Sequence, residues 1–138
     1  MKRDYDEDYE LRRYVWHNFN HALTEREHAL HAAATLELKA RHSSSDTVAA
    51  RYRQMPDYFI DADVAAIAEI GLGAFEQQCC DRLLREHGSE IRINRCERCH
   101  HILASPVACA CVWCGYHWYD RRSEMVALAA SPIYPKPK

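Results

Sequence analysis

Cys96-Glu97-Arg98-Cys99-His100 and Cys111-Val112-Trp113-Cys114-Gly115, with eleven residues between Cys99 and Cys111, decide how this chain is read. A Cys-x-x-Cys segment can close into a tight knuckle whose amides turn toward the sulfurs. Two knuckles at this spacing bring four thiolates into a tetrahedron around Zn²⁺, each at about 2.3 Å. Gly115 stands where a knuckle calls for a positive φ, which glycine adopts without steric cost. Four thiolates close the shell and leave no position for water, so the expectation is one structural Zn²⁺ held by Cys96, Cys99, Cys111 and Cys114.

The surrounding stretch from Asn94 to Trp118, NRCERCHHILASPVACACVWCGYHW, resembles a zinc ribbon. The resemblance implies a hairpin-based zinc fold with the same four cysteines as ligands. It implies no single function, because ribbons serve nucleic-acid machinery, protein docking and plain stabilisation alike. The whole chain is also similar to bacterial proteins that join a helical region to a C-terminal ribbon. Three other chemistries match the cysteines less well. Cys96-Glu97-Arg98-Cys99-His100 has the haem-attachment form, yet covalent haem is normally attached after export and no export signal precedes it. The run from Cys111 to Tyr116 resembles a rubredoxin knuckle, so Fe fits the same S₄ set. A redox dithiol wants one such pair at a helix N-terminus, and here there are two pairs.

The chain has seven cysteines in all. Cys109 lies two residues before Cys111 and reads as a small apolar filler; Cys79 and Cys80 fall on a helical stripe with Phe75 and Leu83 and read as core. With no apolar run after Met1 for a signal peptide, the cysteines are expected to stay reduced and the protein to be cytoplasmic. The weakly polar run Val64 to Phe75, broken by Glu69, Gly71 and Gly73, is too short for a bilayer span, so no membrane role is expected.

Upstream of the cysteines the grammar is helical. Val15, Trp16, Phe19, Leu23, Leu30, Ala33 and Ala34 share one side of a 3.6-residue wheel from about Tyr9 to Arg41, as one helix or two, with Thr24-Glu25-Arg26-Glu27 in capping-box form. Further helices are expected over residues 47–54, over 64–70 behind a cap at Asp61 or Asp63, and over 74–87 with Gly88 as a left-handed C′ residue. Ile91 to Asn94 alternates as a short strand does, another strand is expected over residues 116–119, and a short helix over 122–130 precedes a Pro-rich tail. The expected fold class is therefore α+β and predominantly α, an N-terminal helical region packed with a small C-terminal β-hairpin zinc ribbon. Its segments are residues 1–88, 89–122 and 123–138.

With 138 residues, 48% hydrophobic and 28% charged, the composition is globular and suits one core. The net charge of −2 excludes a bulk polycation. The charge is bipolar: residues 61–90 carry two basic against seven acidic side chains, and residues 91–138 carry seven basic against three acidic. Asp61, Asp63 and Glu69 form a candidate acidic face for a protein partner. Arg92, Arg95, Arg98, Arg121 and Arg122, interleaved with Trp113 and other aromatics, have the ingredients of a nucleic-acid or partner surface.

Nine histidines are many for this length; His17, His21 and His28 align with Glu10 if the first helix is continuous, and the expectation is a solvated polar face rather than a second metal site. No phosphate loop, nucleophile elbow or His-Glu-x-x-His motif occurs, so no catalytic residue is expected. The functional expectation is a small non-catalytic zinc protein that binds a protein partner, as an adaptor or an immunity- or antitoxin-type inhibitor. The alternative is a nucleic-acid-binding regulator that uses the basic, aromatic ribbon.

Overall fold

Side-chain caps set where the helices begin. In the computed structural model, which describes residues 4–129, the Asp6 carboxylate accepts from the Tyr9 amide and starts α1 (Glu7–Phe19). Thr24 and Glu27 form a reciprocal capping box that starts α2 (Glu25–His42). Ser45 caps α3 (Asp46–Arg53) and Asp61 caps α4 (Ala62–Ile70). α5 runs over Leu72–His87 and α6 over Arg122–Leu128. Each cap satisfies amides that the first helical turn leaves without a carbonyl. Between α1 and α2 the chain makes a single 3₁₀ turn, Asn20–Ala22, so the long amphipathic pattern is two helices.

By contact the chain falls into two compact units, one built from Met1–Ala22 and Cys80–Lys138, the other from Leu23–Cys79. The boundary lies inside α5, and α1 shares a unit with the cysteine-rich segment, because contact follows side-chain reach and not chain order.

In the unit of Leu23–Cys79, α2 packs on α3 and α4. Its anchor is polar. The Glu37 carboxylate, 5% exposed, accepts from Arg53 Nε at 3.0 Å, Arg41 Nε at 3.0 Å and Tyr58 Oη at 2.9 Å. These bonds, Arg53 first, outweigh burial and hold its pKa down at about 2. A carboxylate this buried needs such partners to remain charged.

The other unit carries the cysteine-rich segment. Val15 and Phe19 of α1 are fully buried, each contributing about 1.5–3 kcal/mol by leaving water. Beside the knuckles a second core forms from Cys96, Leu103, Cys109, Cys111, Trp118 and Met125. Long-range hydrogen bonds tie α1 to this region: Tyr14 Oη donates to the Arg92 carbonyl at 2.8 Å, and Asn18 Nδ2 donates to the Ala104 carbonyl at 3.0 Å.

Three expectations are corrected here. The β-hairpin does not form: among the described residues extended pairing is limited to two isolated antiparallel bridges, Arg95 with Ile102 and Ala110 with His117. The fold class is thus predominantly helical without a sheet, instead of α+β. The physical reason is length. Each knuckle consumes the residues between its bridge partners, and only the pairs Cys96 N–H to His101 O (3.0 Å) with Leu103 N–H to Asn94 O (2.8 Å), and Cys111 N–H to Tyr116 O with Trp118 N–H to Cys109 O (both 2.8 Å), remain. Residues 91–93 and Tyr119 do not carry the pairing beyond these bonds. Gly88 is not a left-handed cap, since positive φ among glycines is confined to Gly71 and Gly115. Glycine is required at 88 for space, because a Cβ there would sit 2.4 Å from the Leu84 carbonyl oxygen. The helix expected to start at residue 74 begins instead at Leu72, and the tail from residue 130 onward lies outside the described residues.

Candidate metal centre

The sulfurs of Cys96, Cys99, Cys111 and Cys114 all lie within 4.8 Å of one another. Cys96 Sγ is 3.6 Å from Cys114 Sγ, and Cys99 Sγ is 3.5 Å from Cys111 Sγ. Sulfurs bound at about 2.3 Å to a tetrahedral ion stand about 3.8 Å apart, so the set has the dimensions of a Zn–S₄ site. Disulfide sulfurs would be at about 2.05 Å, and all seven cysteines are free. Each close pair takes one sulfur from each knuckle, which places the ion's position between the knuckles.

Local backbone geometry prepares the donors. Cys96 O accepts from the His100 amide at 2.8 Å, and Cys111 O accepts from the Gly115 amide at 2.9 Å, closing two equivalent turns. The residue after each second cysteine takes a left-handed conformation: Gly115 with φ 79° and His100 with φ 63°. The Arg98 amide donates to Cys96 Sγ at 3.4 Å.

The electrostatics are those of four crowded thiols. Burial opposes ionisation of Cys96, but the Cys99 and Arg98 amides and the neighbouring thiols hold its pKa down at about 7. Burial dominates at Cys99 and, despite the His101 amide, pushes that thiol up to about 12, with Cys111 and Cys114 reinforcing it. Four thiols this close cannot all ionise without a cation among them. Soft, negatively charged sulfur is the donor that Zn²⁺ and Fe share, and the residues present fit either ion.

Cys109, 6% exposed, belongs to the adjoining core, where its Sγ donates to the Val107 carbonyl at 3.4 Å; it is not among the four clustered sulfurs. Cys79 and Cys80 are buried, as their helical stripe implied. The histidine stripe has no continuous helix to carry it, because the 3₁₀ turn at Asn20–Ala22 breaks the register between His17 and His28. Among the described residues none of His17, His21 and His28 belongs to a metal-ligating group.

The basic residues are largely engaged within the chain. Arg95 pairs with both Glu7 oxygens at 2.8 and 2.9 Å. Arg121 pairs with Glu97 at 2.6 and 3.2 Å and with Glu124 at 3.3 Å. Arg92 donates to the Pro106 carbonyl at 2.9 Å, and the Arg98 guanidinium lies 4.5 Å from the Tyr116 ring centroid. Arg122 is exposed. On the acidic side, Asp61 and Asp63 both accept from Arg26, at 2.7 and 2.9 Å, and Glu69 pairs with Arg41 at 3.4 Å.

Sequence reasoning missed Tyr5, Glu7 and His101. Tyr5 stacks on His101 with ring centroids 3.8 Å apart and meets Trp113 edge-on at 5.1 Å. Its hydroxyl accepts from the Ile102 amide at 3.0 Å and donates to Glu7 at 2.8 Å. Tyr5 and Glu7 sit in an acidic N-terminal run, and nothing local in it signals partners some ninety residues away.

A predominantly helical protein with a four-cysteine cluster of metal-binding dimensions, and with no helix, among the described residues, long and apolar enough to cross a membrane, is the class this fold and site define. Comparison with family models, curated proteins and solved structures finds no match.

Proposed function

We propose that this is a non-catalytic cytoplasmic protein in which one zinc ion clamps the two knuckles into a rigid platform for a protein partner. The closed set of four sulfurs within 4.8 Å carries the reading, since an ion held by four thiolates has no site for substrate or water. Val112, 81% exposed at the tip of the second knuckle, and the Trp113 and His101 rings beside it supply the aromatic and apolar anchors that protein interfaces favour.

The nucleic-acid alternative is weakened by the ion pairs of Arg95 and Arg121, which already neutralise two of the five arginines it needs. The inhibitor variant, in which Asp61, Asp63 and Glu69 meet a basic toxin, is weakened likewise, because all three carboxylates already face arginines of the same chain. Two measurements test the proposal. Metal analysis of the purified protein is expected to give one Zn per chain. Affinity capture with and without nuclease is expected to retain a stoichiometric protein partner after nuclease treatment. Nucleic acid recovered in place of protein would overturn the partner reading, and metal-free folded protein would overturn the clamp.

A further inference from the structure

The most distinctive contact outside the sulfur cluster is the seat taken by Tyr5 and Glu7. Three groups form it: the His101 ring, the Trp113 ring at nearly a right angle to it (84°, centroids 5.6 Å apart), and the Arg95 guanidinium. The Tyr5 ring lies parallel to His101 within 10° and perpendicular to Trp113, so it fills the corner between them. Two residues on, the Glu7 carboxylate grips Arg95 through both oxygens. The backbone adds an edge, because the Ile102 amide points at the Tyr5 hydroxyl. An aromatic corner, a fork-shaped cation and a backbone amide within one short span match a particular ligand: an aromatic side chain followed two residues later by a carboxylate.

We propose that this corner is a recognition site for an aromatic-x-acidic segment of a partner protein, and that Tyr5-Asp6-Glu7 occupies it in cis until the partner displaces it. This rests on the protein-partner reading above and specifies its surface. The occupant's chemistry is read directly from the residues that sit there now.

Displacement is feasible on the same geometry. Glu7 and Arg95 are 45% and 43% exposed, and exposed ion pairs are weak. Tyr5 precedes α1 and joins it through Asp6, whose carboxylate caps the Tyr9 amide without using the Tyr5 side chain. A tethered segment competes at an effective concentration in the millimolar range, so it lowers a partner's apparent affinity by the fraction of time the site is closed. Removing it raises that affinity without adding any contact.

The test uses full-length, metal-loaded protein and a fluorescein-labelled hexapeptide of sequence DYDEDY, the chain's own residues 4–9, read by fluorescence anisotropy at low salt. The Tyr5→Ala/Glu7→Gln variant is expected to bind the peptide about tenfold tighter than wild type, as release of a tethered competitor predicts. Adding Arg95→Gln is expected to abolish that gain, and a peptide with alanine for its first tyrosine is expected not to bind. Glu7→Gln alone, at an exposed position that leaves the aromatic stack intact, is expected to gain about threefold, so the test survives if the double variant folds poorly.

Equal affinity in wild type and Glu7→Gln overturns the proposal, as does a gain that ignores Arg95→Gln. Uptake of oligothymidylate in place of the peptide overturns it in favour of nucleic acid. Capture of the same stoichiometric partner by wild type and by Arg95→Gln would leave the partner reading standing and overturn this site.

Discussion

The Tyr14 hydroxyl donates to the backbone carbonyl of Arg92 at 2.8 Å across seventy-eight residues of sequence, and the same oxygen accepts from the Asn94 amide at 3.3 Å. Through Tyr14, which is 2% exposed, α1 holds the chain just before the first knuckle. Asn94, also 2% exposed, continues the tie by donating to the carbonyls of Ser105 and Ala108 at 2.9 and 3.1 Å. The approach to Cys96 is therefore held by hydrogen bonds from outside the sulfur cluster.

Tyr14→Phe removes the hydroxyl that the Arg92 carbonyl and the Asn94 amide both bond. The expected loss is about 1–3 kcal/mol of unfolding free energy, measured by urea denaturation, with the metal stoichiometry unchanged.

Cys96→Ser and Cys114→Ser each remove a donor from a closed four-sulfur set, and both are expected to lose the metal in elemental analysis and to melt at least the knuckles in near-UV circular dichroism, because metal-binding free energy there is folding free energy. Cys109→Ser is the internal contrast. Its sulfur stands outside the cluster, so the zinc is expected to remain while stability falls by about 1 kcal/mol from the buried hydroxyl.

His100 and Gly115 occupy equivalent left-handed positions. His100→Gly relieves the strain of a branched backbone position there and is expected to be neutral or stabilising by up to about 1 kcal/mol, whereas Gly115→Ala is expected to cost about 1 kcal/mol. Thermal melts of the zinc-loaded proteins compare the two; a destabilising His100→Gly would show that the imidazole does more than occupy the turn.

Glu37 links stability to pH. Its folded pKa of about 2 lies below the ordinary value of 4.5, so in the acid range the unfolded chain binds the extra proton and stability rises with pH. The contribution is fully present above about pH 5 and is lost as the pH falls toward about 2. Since Arg41 and Arg53 are 38% and 43% exposed, solvent screening keeps it below the ~3 kcal/mol that the shift alone would imply. Glu37→Gln is expected to remove most of the difference between pH 5 and pH 3 in unfolding free energy; an unchanged pH profile would exclude Glu37 as its source.

The metal ligands and the helices were legible because both signals are local. Cys-x-x-Cys closes a turn whatever follows it, and caps such as Thr24 with Glu27, or Asp61, satisfy amides two or three residues away. Composition and spacing thus determined a helical chain bearing one four-sulfur site. The hairpin was not decided by spacing, because a ladder needs extended residues beyond the knuckle turns and only one bridge on each side forms. Charge patterning marked Arg95 and Arg121 as candidate contacts for a ligand, and tertiary contact gave them Glu7 and Glu97 as partners. Whether an arginine stands open or paired depends on which carboxylate the fold brings within about 4 Å of it, and sequence distance carries no trace of that. The seat of Tyr5 between His101 and Trp113 was settled in the same way, by three segments meeting in space.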